Sequence, residues 1–227
     1  MAAIVIPDNS DDDDDLSDTD SSRLICCIDS INKKYEISRN AYDDLKTGGE
    51  LNDEVMNFGI RKEFDSWNNS LKNQSAALSS FFWATLKGIR NLKSDKLQKK
   101  LAKIEKSFTK KIDVLKTKWI LFAMQQYKHW TLAIINNEDK CLFIVDSIKK
   151  TGIYYRDDFN DMTLWLNSIS ECDAKLTYTR HVPEVPLQKN DTDCGVFVLK
   201  NLNFFGKKDG KLTVKFFKQI IIFFNNH

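Results

Sequence analysis

The sequence predicts an α+β fold in which helices come first, three successive strands follow, and further helices close the chain. Apolar residues recur every three or four positions between residues 94 and 115, a spacing typical of an amphipathic helix. After residue 118 the pattern changes to short, partly β-branched apolar runs separated by polar turns, which indicates strands. Because the helical and strand patterns occupy separate parts of the chain, an α+β arrangement is favoured.

The N-terminal half of the folded region is predicted to be helical. Residues 34–67 are interpreted as two helical pieces around a Gly-Gly break, the second capped by Asn52 or Asp53. Residues 78–89 form another apolar helical segment. A long amphipathic helix begins with Ser94 as its cap, and its apolar face carries Leu97, Leu101, Ile104, Phe108, Ile112 and Leu115.

The C-terminal half is predicted to hold the sheet and the closing helices. Strands are expected over residues 119–124, 130–136, 141–147 and 175–182. Helices are expected over residues 157–170, 194–205 and 213–227.

Charge is unevenly distributed along the 227 residues. Residues 1–22 contain eight aspartates and no lysine or arginine, whereas the remaining 205 residues hold 34 basic and 24 acidic side chains, a formal charge of +10. An acidic run of this kind is typical of a solvated, disordered segment. We therefore predict an acidic disordered tail over residues 1–23 and a single folded domain over residues 24–227.

Residues 87–118 contain twelve lysines or arginines and three acidic residues. A solvated helix face is the more frequent explanation of such a run. A surface that binds nucleic acid or an acidic protein is the alternative, and we regard it as the weaker one.

The cysteines argue for a reducing compartment and against a metal site. All five lack a Cys-x-x-Cys motif and a zinc-type spacing, so no metal or other cofactor is expected. The apolar runs near the two ends have five residues each, against the roughly 20 of a membrane span, and no secretory signal is seen. We expect a monomer in the nucleus or cytoplasm, with no membrane association.

Cys194 is the candidate nucleophile. A thiol attacks as the thiolate, which a helix N-terminus, a nearby imidazolium and partial exposure each favour. Cys194 follows the acidic, turn-prone stretch "QKNDTD" and precedes the apolar run that is predicted to be helical. It therefore stands at a helix N-terminus.

His129 is the candidate base, because it opens a predicted strand, whereas His181 lies at a polar strand end before proline. An imidazole base needs an acceptor on its other nitrogen, and Asp146 ends the next predicted strand. If the two strands pair as a hairpin, both side chains lie at neighbouring strand ends. Gln188 can donate to a developing oxyanion beside the amide of Cys194. Together these four residues form a complete acyl-transfer site.

A family resemblance rests on these same residues. The string Q-x-x-x-x-D-C-G-x-F, preceded by H-W and by a strand ending in D-S, resembles the ubiquitin-like-protein-specific cysteine proteases. These are the SUMO/sentrin proteases, within the wider clan that includes adenoviral protease. The segments "LNDEVMNF", "SSFFW" and "FTKKIDVLKTKWILFAM" are similar to the same family, so the resemblance extends from about Ile37 to the end.

The resemblance implies a papain-like α+β fold, with a central mixed sheet flanked by helices and the catalytic cysteine at the start of a buried helix. It implies that residues 24–227 form a cysteine protease domain that cleaves after the Gly-Gly terminus of a ubiquitin-like modifier, SUMO first and ubiquitin second. His129, Asp146 and Cys194 match the triad, and Gln188 matches the oxyanion glutamine. The amphipathic helix is then expected to end near Lys111.

The resemblance also implies a substrate-binding surface, in which the modifier's tail threads a narrow tunnel. Trp130 matches an aromatic wall that faces the tail, Asp53 matches a residue that contacts the modifier, and Gly195 lies beside the thiol. The family normally has tryptophan, the other wall, where this chain has Glu50. A carboxylate there should weaken the grip on the di-glycine or change what is gripped.

The tail bears on the modifier. Ile4, Val5 and Ile6 precede an acidic block and form a candidate SUMO-interacting motif, in which the apolar residues add a strand to the modifier's sheet while the acids meet its basic rim. The pattern is loose, and an Ile/Val triplet beside acidic residues also occurs without this function.

Several other functions remain open at this point. A deubiquitinase, a viral maturation protease and an acetyltransferase of the same clan share this site, although the acetyltransferases typically have glutamate in the place of Asp146. A non-enzymatic modifier-binding module is the alternative outside catalysis. The presence of all four catalytic positions argues against it.

Overall fold

The computed structural model describes residues 24–28, 34–148, 150–170 and 174–210. For residues 24–28 and 34–36 it describes the backbone alone. The strands are β1 Leu24–Ile28, β2 Lys34–Ser38, β3 Ser75–Leu78, β4 Trp119–Gln126, β5 His129–Asn136, β6 Cys141–Val145 and β7 Thr179–His181. The helices are α1 Arg39–Lys46, α2 Asp53–Ser66, α3 Asn69–Asn73, α4 Ser80–Leu86, α5 Ser94–Ile104, α6 Arg156–Ser168 and α7 Cys194–Lys207.

A five-stranded mixed sheet with the order β3-β4-β5-β6-β7 forms the centre of the molecule. The three inner strands pair antiparallel, whereas the edge strands β3 and β7 run parallel to their neighbours. Strands β1 and β2 form a separate antiparallel pair. The α+β fold with a mixed central sheet flanked by helices is thus confirmed.

Both faces of the sheet are apolar, which explains the near-continuous apolar runs of its inner strands. Successive side chains of a strand point to opposite faces. In β4, Trp119, Leu121 and Ala123 pack with α2 and α7, while the residues between them pack with α4, α5 and α6. Every inner strand is therefore buried from both sides, as expected for a sheet between two helical layers.

The turn between β4 and β5 orients the start of β5. It consists of Tyr127 and Lys128, whose φ angles are 52° and 60°. Two successive positive φ values are characteristic of the type I′ turn, the two-residue hairpin turn that matches the twist of the strands. Gln126 and His129 consequently face each other across the hairpin, and His129 is the first residue of β5.

Helix boundaries follow the capping signals closely, with one shift. The Asn52 side chain accepts the Val55 N–H at 3.0 Å, which confirms Asn52 as the cap of α2. Ser94 is the first helical residue of α5 rather than its cap, which is Lys93. A π-helical turn over Glu105–Thr109 extends α5, so the helical conformation ends close to the expected Lys111.

Two other expectations differ from the structure, and one strand was not expected. Residues 34–38 are a strand rather than part of a helix, because they pair with residues 24–28. Strand β3 lacked a sequence signal, since four residues are too few to show a period. Strand β7 covers three of the eight residues expected. The predicted helix over residues 213–227 and the predicted tail lie outside the described residues.

Candidate active site

The base and its acceptor lie at one end of the β5–β6 hairpin. Leu132 pairs with Val145, so the first residue of β5, His129, and the residue that follows β6, Asp146, meet at the same end. The His129 Nε2 lies 2.5 Å from the Asp146 Oδ1. This confirms the expected hairpin and the contact between the two side chains.

Three donors hold the Asp146 carboxylate, whose side chain is 1% exposed. Oδ1 accepts the bond from His129 and the Ile148 N–H, the latter at 2.9 Å. Oδ2 accepts the Tyr155 hydroxyl at 2.5 Å. A buried carboxylate requires such partners, because leaving its oxygens without donors would cost the full desolvation of a charge. The carboxylate plane is thereby fixed relative to the imidazole.

Cys194 is the third residue of the predicted triad. Cys194 is the first residue of α7 and is 1% exposed, and its side chain is near enough to the His129 imidazole to raise the pKa of that ring. Because Nε2 is bound to Asp146, Nδ1 is the ring nitrogen left for the thiol. The Cys194 amide belongs to the first helical turn, whose N–H groups have no partner within the helix. The start of α7 therefore presents both a thiol and an N–H donor.

The pKa of His129 is raised to about 9. Burial by itself lowers this pKa, but the hydrogen bonds and the negative charges of Asp146 and Cys194 raise it more. The ring is therefore an imidazolium at neutral pH. Cys194 thus lies beside an imidazolium and at a helix N-terminus, two features that are typical of nucleophilic cysteines.

Gln188 is held in one orientation by the residue that follows Asp146. The Ser147 hydroxyl donates to the Gln188 Oε1 at 2.6 Å, and the Gln188 N–H donates to the Ser147 carbonyl at 2.9 Å. The Gln188 Nε2 donates one hydrogen to the Asn190 carbonyl at 2.6 Å, which leaves its second hydrogen for a ligand. Residues 146 and 147 thus orient His129 and Gln188 respectively.

The turn between Gln188 and Cys194 is closed by a side chain. The Asn190 Oδ1 accepts the N–H groups of Thr192 and Asp193 at 3.2 Å and 3.0 Å. Asn and Asp side chains commonly close such turns by binding backbone N–H groups two or three residues on. The polar residues before Cys194 therefore form the turn that leads the chain into α7.

Leu51 contacts two of the predicted substrate-binding residues, Trp130 and Gly195. Its carbonyl accepts the Trp130 indole N–H at 2.7 Å, and its side chain covers Gly195, where a Cβ would lie 2.8 Å from the Leu51 Cδ1. Trp130 itself is 1% exposed and packs in the core. Its side chain is thus a packing residue in this structure, and its substrate-facing role stays a prediction.

The two acidic candidates flank Leu51. Glu50 is exposed, whereas Asp53 is the partly buried first residue of α2 and accepts the Ser80 hydroxyl at 2.6 Å. Their contacts with a modifier stay predictions, as does that of Gly195. The candidate motif Ile4, Val5 and Ile6 lies outside the described residues.

Sequence reasoning missed the residues that orient the triad. Ser147 and Leu51 had a signal, because they are the serine of the D-S string and the leucine of "LNDEVMNF", but Tyr155 and Asn190 had none that distinguishes them from ordinary turn and core residues. In the described ranges, no three His, Cys, Asp or Glu side chains cluster as a metal site requires. None of the helices in that part of the chain is long and apolar enough to cross a membrane.

Solved structures establish the kinship of the fold. The structure described as "Crystal structure of the de-sumoylating protease" superimposes with a TM-score of 0.67 at 21% identity, covering 89% of this chain and 84% of that one. The C-terminal Ulp1 protease domain, in complex with Smt3, the yeast ortholog of SUMO, superimposes with a TM-score of 0.62 at 21% identity, covering 89% and 87%. The papain-like architecture expected from the resemblance is thus confirmed.

Sequence comparison identifies the family. Sentrin-specific protease 2 of Rattus norvegicus is 26% identical over 181 residues, which are 77% of this chain and 29% of that protein. The chain spans less than a third of the length of the curated relatives that head the comparison. The family model "Ulp1 protease family, C-terminal catalytic domain" matches residues 50–209, well over half of the chain. The chain therefore belongs to the Ulp1 protease family and contains its C-terminal catalytic domain.

Proposed function

We propose that this protein is a cysteine peptidase that hydrolyses the bond after the C-terminal Gly-Gly of a ubiquitin-like modifier, and that the modifier is SUMO. The observation that carries the proposal is the Asp146–His129 hydrogen bond beside Cys194, which begins α7 and interacts with the His129 imidazole. These residues lie inside the segment that matches the Ulp1 catalytic domain.

Acylation starts from the thiolate–imidazolium pair. The Cys194 thiolate attacks the carbonyl carbon of the terminal glycine, and the carbonyl oxygen becomes an oxyanion. The free Nε2 hydrogen of Gln188 and the Cys194 N–H stabilise that charge, an effect worth about 10²–10³ in kcat for a single donor. The His129 imidazolium then donates its proton to the leaving amine as the C–N bond breaks, which leaves a thioester and a neutral imidazole.

Deacylation reverses the proton flow. The neutral His129 removes a proton from water, and the oxygen attacks the thioester carbon to form a second oxyanion. When this intermediate collapses, the C–S bond breaks and the thiolate leaves. The products are the modifier with a C-terminal carboxylic acid, which releases its proton to the solvent as it ionises, and the original thiolate–imidazolium pair, so atoms and charge balance.

The choice of SUMO rests on the relatives and on the tail. The curated relatives include sentrin-specific proteases, and one structural neighbour is a complex with the yeast ortholog of SUMO. The candidate motif Ile4, Val5 and Ile6 is consistent with binding the same modifier a second time. We further propose that the protein acts in the nucleus or cytoplasm, where a reducing environment preserves the thiolate.

A set of activity probes tests the proposal. SUMO, ubiquitin and a Nedd-type modifier, each with a thiol trap at the C-terminus, are incubated with the protein, and the adducts are resolved by mass. We expect an adduct with SUMO that disappears in Cys194→Ala. Cys141→Ala is the matched control. Cys141 is a partly exposed cysteine that forms no disulfide and is hydrogen-bonded to Thr179, so its replacement should leave the adduct intact.

The outcomes separate the parts of the proposal. An adduct with ubiquitin alone would contradict the choice of SUMO but support the peptidase. No adduct with any modifier, or labelling that survives Cys194→Ala, would contradict the peptidase itself. For the tail, alanine at Ile4, Val5 and Ile6 should weaken binding to SUMO chains and leave turnover of a small di-glycine substrate unchanged. An equal loss of both would contradict a SUMO-interacting motif.

A further inference from the structure

Tyr155 is a buried tyrosine whose hydroxyl reaches the catalytic aspartate from the core side. It precedes α6 as its N-terminal cap residue and is 2% exposed. Its ring belongs to the apolar cluster that also contains Phe159 and Trp165, and it meets the Tyr154 ring edge-on with 4.9 Å between the ring centroids. Its hydroxyl donates to the Asp146 Oδ2 at 2.5 Å. A side chain of the core thus binds the carboxylate oxygen that the imidazole does not bind.

The Tyr155 hydroxyl donates its hydrogen to Asp146. Among the described residues, Asp146 is the hydrogen-bond partner that the structure shows for it. Burial and the bond to Asp146 both raise the pKa of Tyr155 far above its usual range, so it remains a donor at every pH at which the protein functions. A tyrosine in such a site usually seeks any polar partner, and here that partner is the one carboxylate on which the base depends.

We infer that Tyr155 is a positioning residue of the active site, which acts on His129 through the Asp146 carboxylate. Rotation about the Cβ–Cγ bond moves both carboxylate oxygens, so the two bonds at Oδ1 and the one at Oδ2 oppose it together. The bond at Oδ2 therefore restricts the carboxylate further and helps to keep an Oδ1 lone pair directed at Nε2. The inference rests on the proposed peptidase function, because the base is relevant only if Cys194 is the nucleophile.

The same bond sets the charge that the imidazole experiences. A donor at Oδ2 draws negative charge from Oδ1, and so it weakens the pull of the carboxylate on the Nε2 proton. Removing the donor should therefore raise the pKa of His129 above its value of about 9. Because deacylation needs the neutral imidazole, a higher pKa slows turnover at neutral pH.

The test compares two tyrosines. Tyr155→Phe removes the hydroxyl that faces Asp146, and Tyr178→Phe removes another buried hydroxyl, which donates to the Asn137 side chain at 2.7 Å in the same apolar cluster. We expect Tyr155→Phe to raise the His129 pKa, followed by NMR of the imidazole, by half a pH unit or more. We also expect kcat to fall about tenfold, the loss of one charge-assisted bond, with KM for the modifier changed less than twofold. Tyr178→Phe should change neither quantity.

A second variant keeps the inference testable if Tyr155→Phe does not fold. Site-specific 3,5-difluorotyrosine at position 155 retains the ring and the hydroxyl but makes the hydroxyl a stronger donor, so the His129 pKa should fall. The NMR titration needs no substrate, so it remains informative even if the assigned modifier is wrong. An unchanged His129 pKa in both variants, or a kcat loss in Tyr178→Phe equal to that in Tyr155→Phe, would overturn the inference.

Discussion

Gly195 has no room for a side chain, and adding one should strain the nucleophile's helix. A Cβ built at this position lies 2.8, 2.9 and 3.0 Å from the Cδ1, Cγ and Cβ atoms of Leu51. The optimal separation of two non-bonded carbon atoms is about 3.5–4.0 Å. The contacts with Leu51 are therefore several tenths of an ångström too short. Either Leu51 or the start of α7 must move in Gly195→Ala.

The magnitude follows from the burial of the contact. Overpacking a well-packed core typically costs about 1–3 kcal/mol, and we expect Gly195→Ala to lower the free energy of unfolding by that amount. A displacement of about 1 Å near reacting groups can cost 10²-fold in rate. We therefore expect kcat/KM to fall at least about tenfold, because Cys194 adjoins the strained position.

The assay is a double-mutant cycle with Leu51→Ala. Leu51→Ala alone should cost about 2–5 kcal/mol, since it opens a cavity in the core, yet it keeps the backbone carbonyl that binds Trp130. In the double variant the methyl at position 195 occupies part of that cavity. Its destabilisation, measured by denaturant unfolding, should be at least about 1 kcal/mol smaller than the sum of the two single variants.

A second glycine serves as the control. A Cβ at Gly152 meets nothing within 4 Å, so Gly152→Ala should change the free energy of unfolding by no more than about 0.5 kcal/mol. If Gly195→Ala were as mild as Gly152→Ala, or if the cycle were additive, the argument from the Leu51 contact would be refuted.

Three further predictions concern charge at and near the site. Asp146→Asn retains an acceptor for Nε2 but loses the negative charge, so the His129 pKa should drop by about one pH unit, as NMR titration can establish. The raised His129 pKa stabilises the folded wild type fully below pH 6.5, and this stabilisation is lost as the pH rises through about 9. The difference in free energy of unfolding between the wild type and Asp146→Asn should therefore narrow over that range. A widening difference would contradict the raised His129 pKa. Burial raises the pKa of Asp158 from 3.8 to about 6, so the folded state binds the extra proton and loses stability as the pH rises through this window. Asp158→Asn should therefore raise Tm at pH 7–8 and leave it nearly unchanged at pH 4, whereas a lower Tm at pH 7–8 would show that the carboxylate is stabilising. Glu50→Trp should restore apolar contact with a di-glycine tail, because a tryptophan can bury about 150–250 Å². The substitution should therefore raise kcat/KM for short di-glycine peptides more than for the full modifier. A loss on every substrate would indicate that Glu50 recognises a different feature near the scissile bond.

The elements that the sequence predicted well are those whose signal is local. Residues 119–145 show three short apolar runs with polar turns, and the hairpin pairing of consecutive strands followed from those turns. The position of His129 at a strand start and of Asp146 at a strand end then placed the two together. Asn52 was recognisable as a cap because a cap depends only on its own side chain and the next turn of backbone.

The orientation of the triad could not be predicted in the same way, because it depends on residues brought together by the whole fold. Tyr155 looks like any apolar residue before a helix until the packing of α6 directs its hydroxyl at Asp146. The Ser147–Gln188 pair spans 41 positions, and no local pattern links the two. The burial of Trp130 likewise depends on a carbonyl 79 positions away.

The sequence by itself therefore determined which chemical groups this protein has and which elements carry them, since periodicity, capping and turn chemistry act between near neighbours along the chain. Only the tertiary structure decided how those groups are held. The second oxygen of Asp146 is satisfied from the core, Gln188 is oriented by Ser147, and Gly195 lies under Leu51. The physical reason is that hydrogen bonding and close packing depend on distances of a few ångströms between atoms that are remote in sequence, and these distances exist only once both helical layers have packed against the sheet.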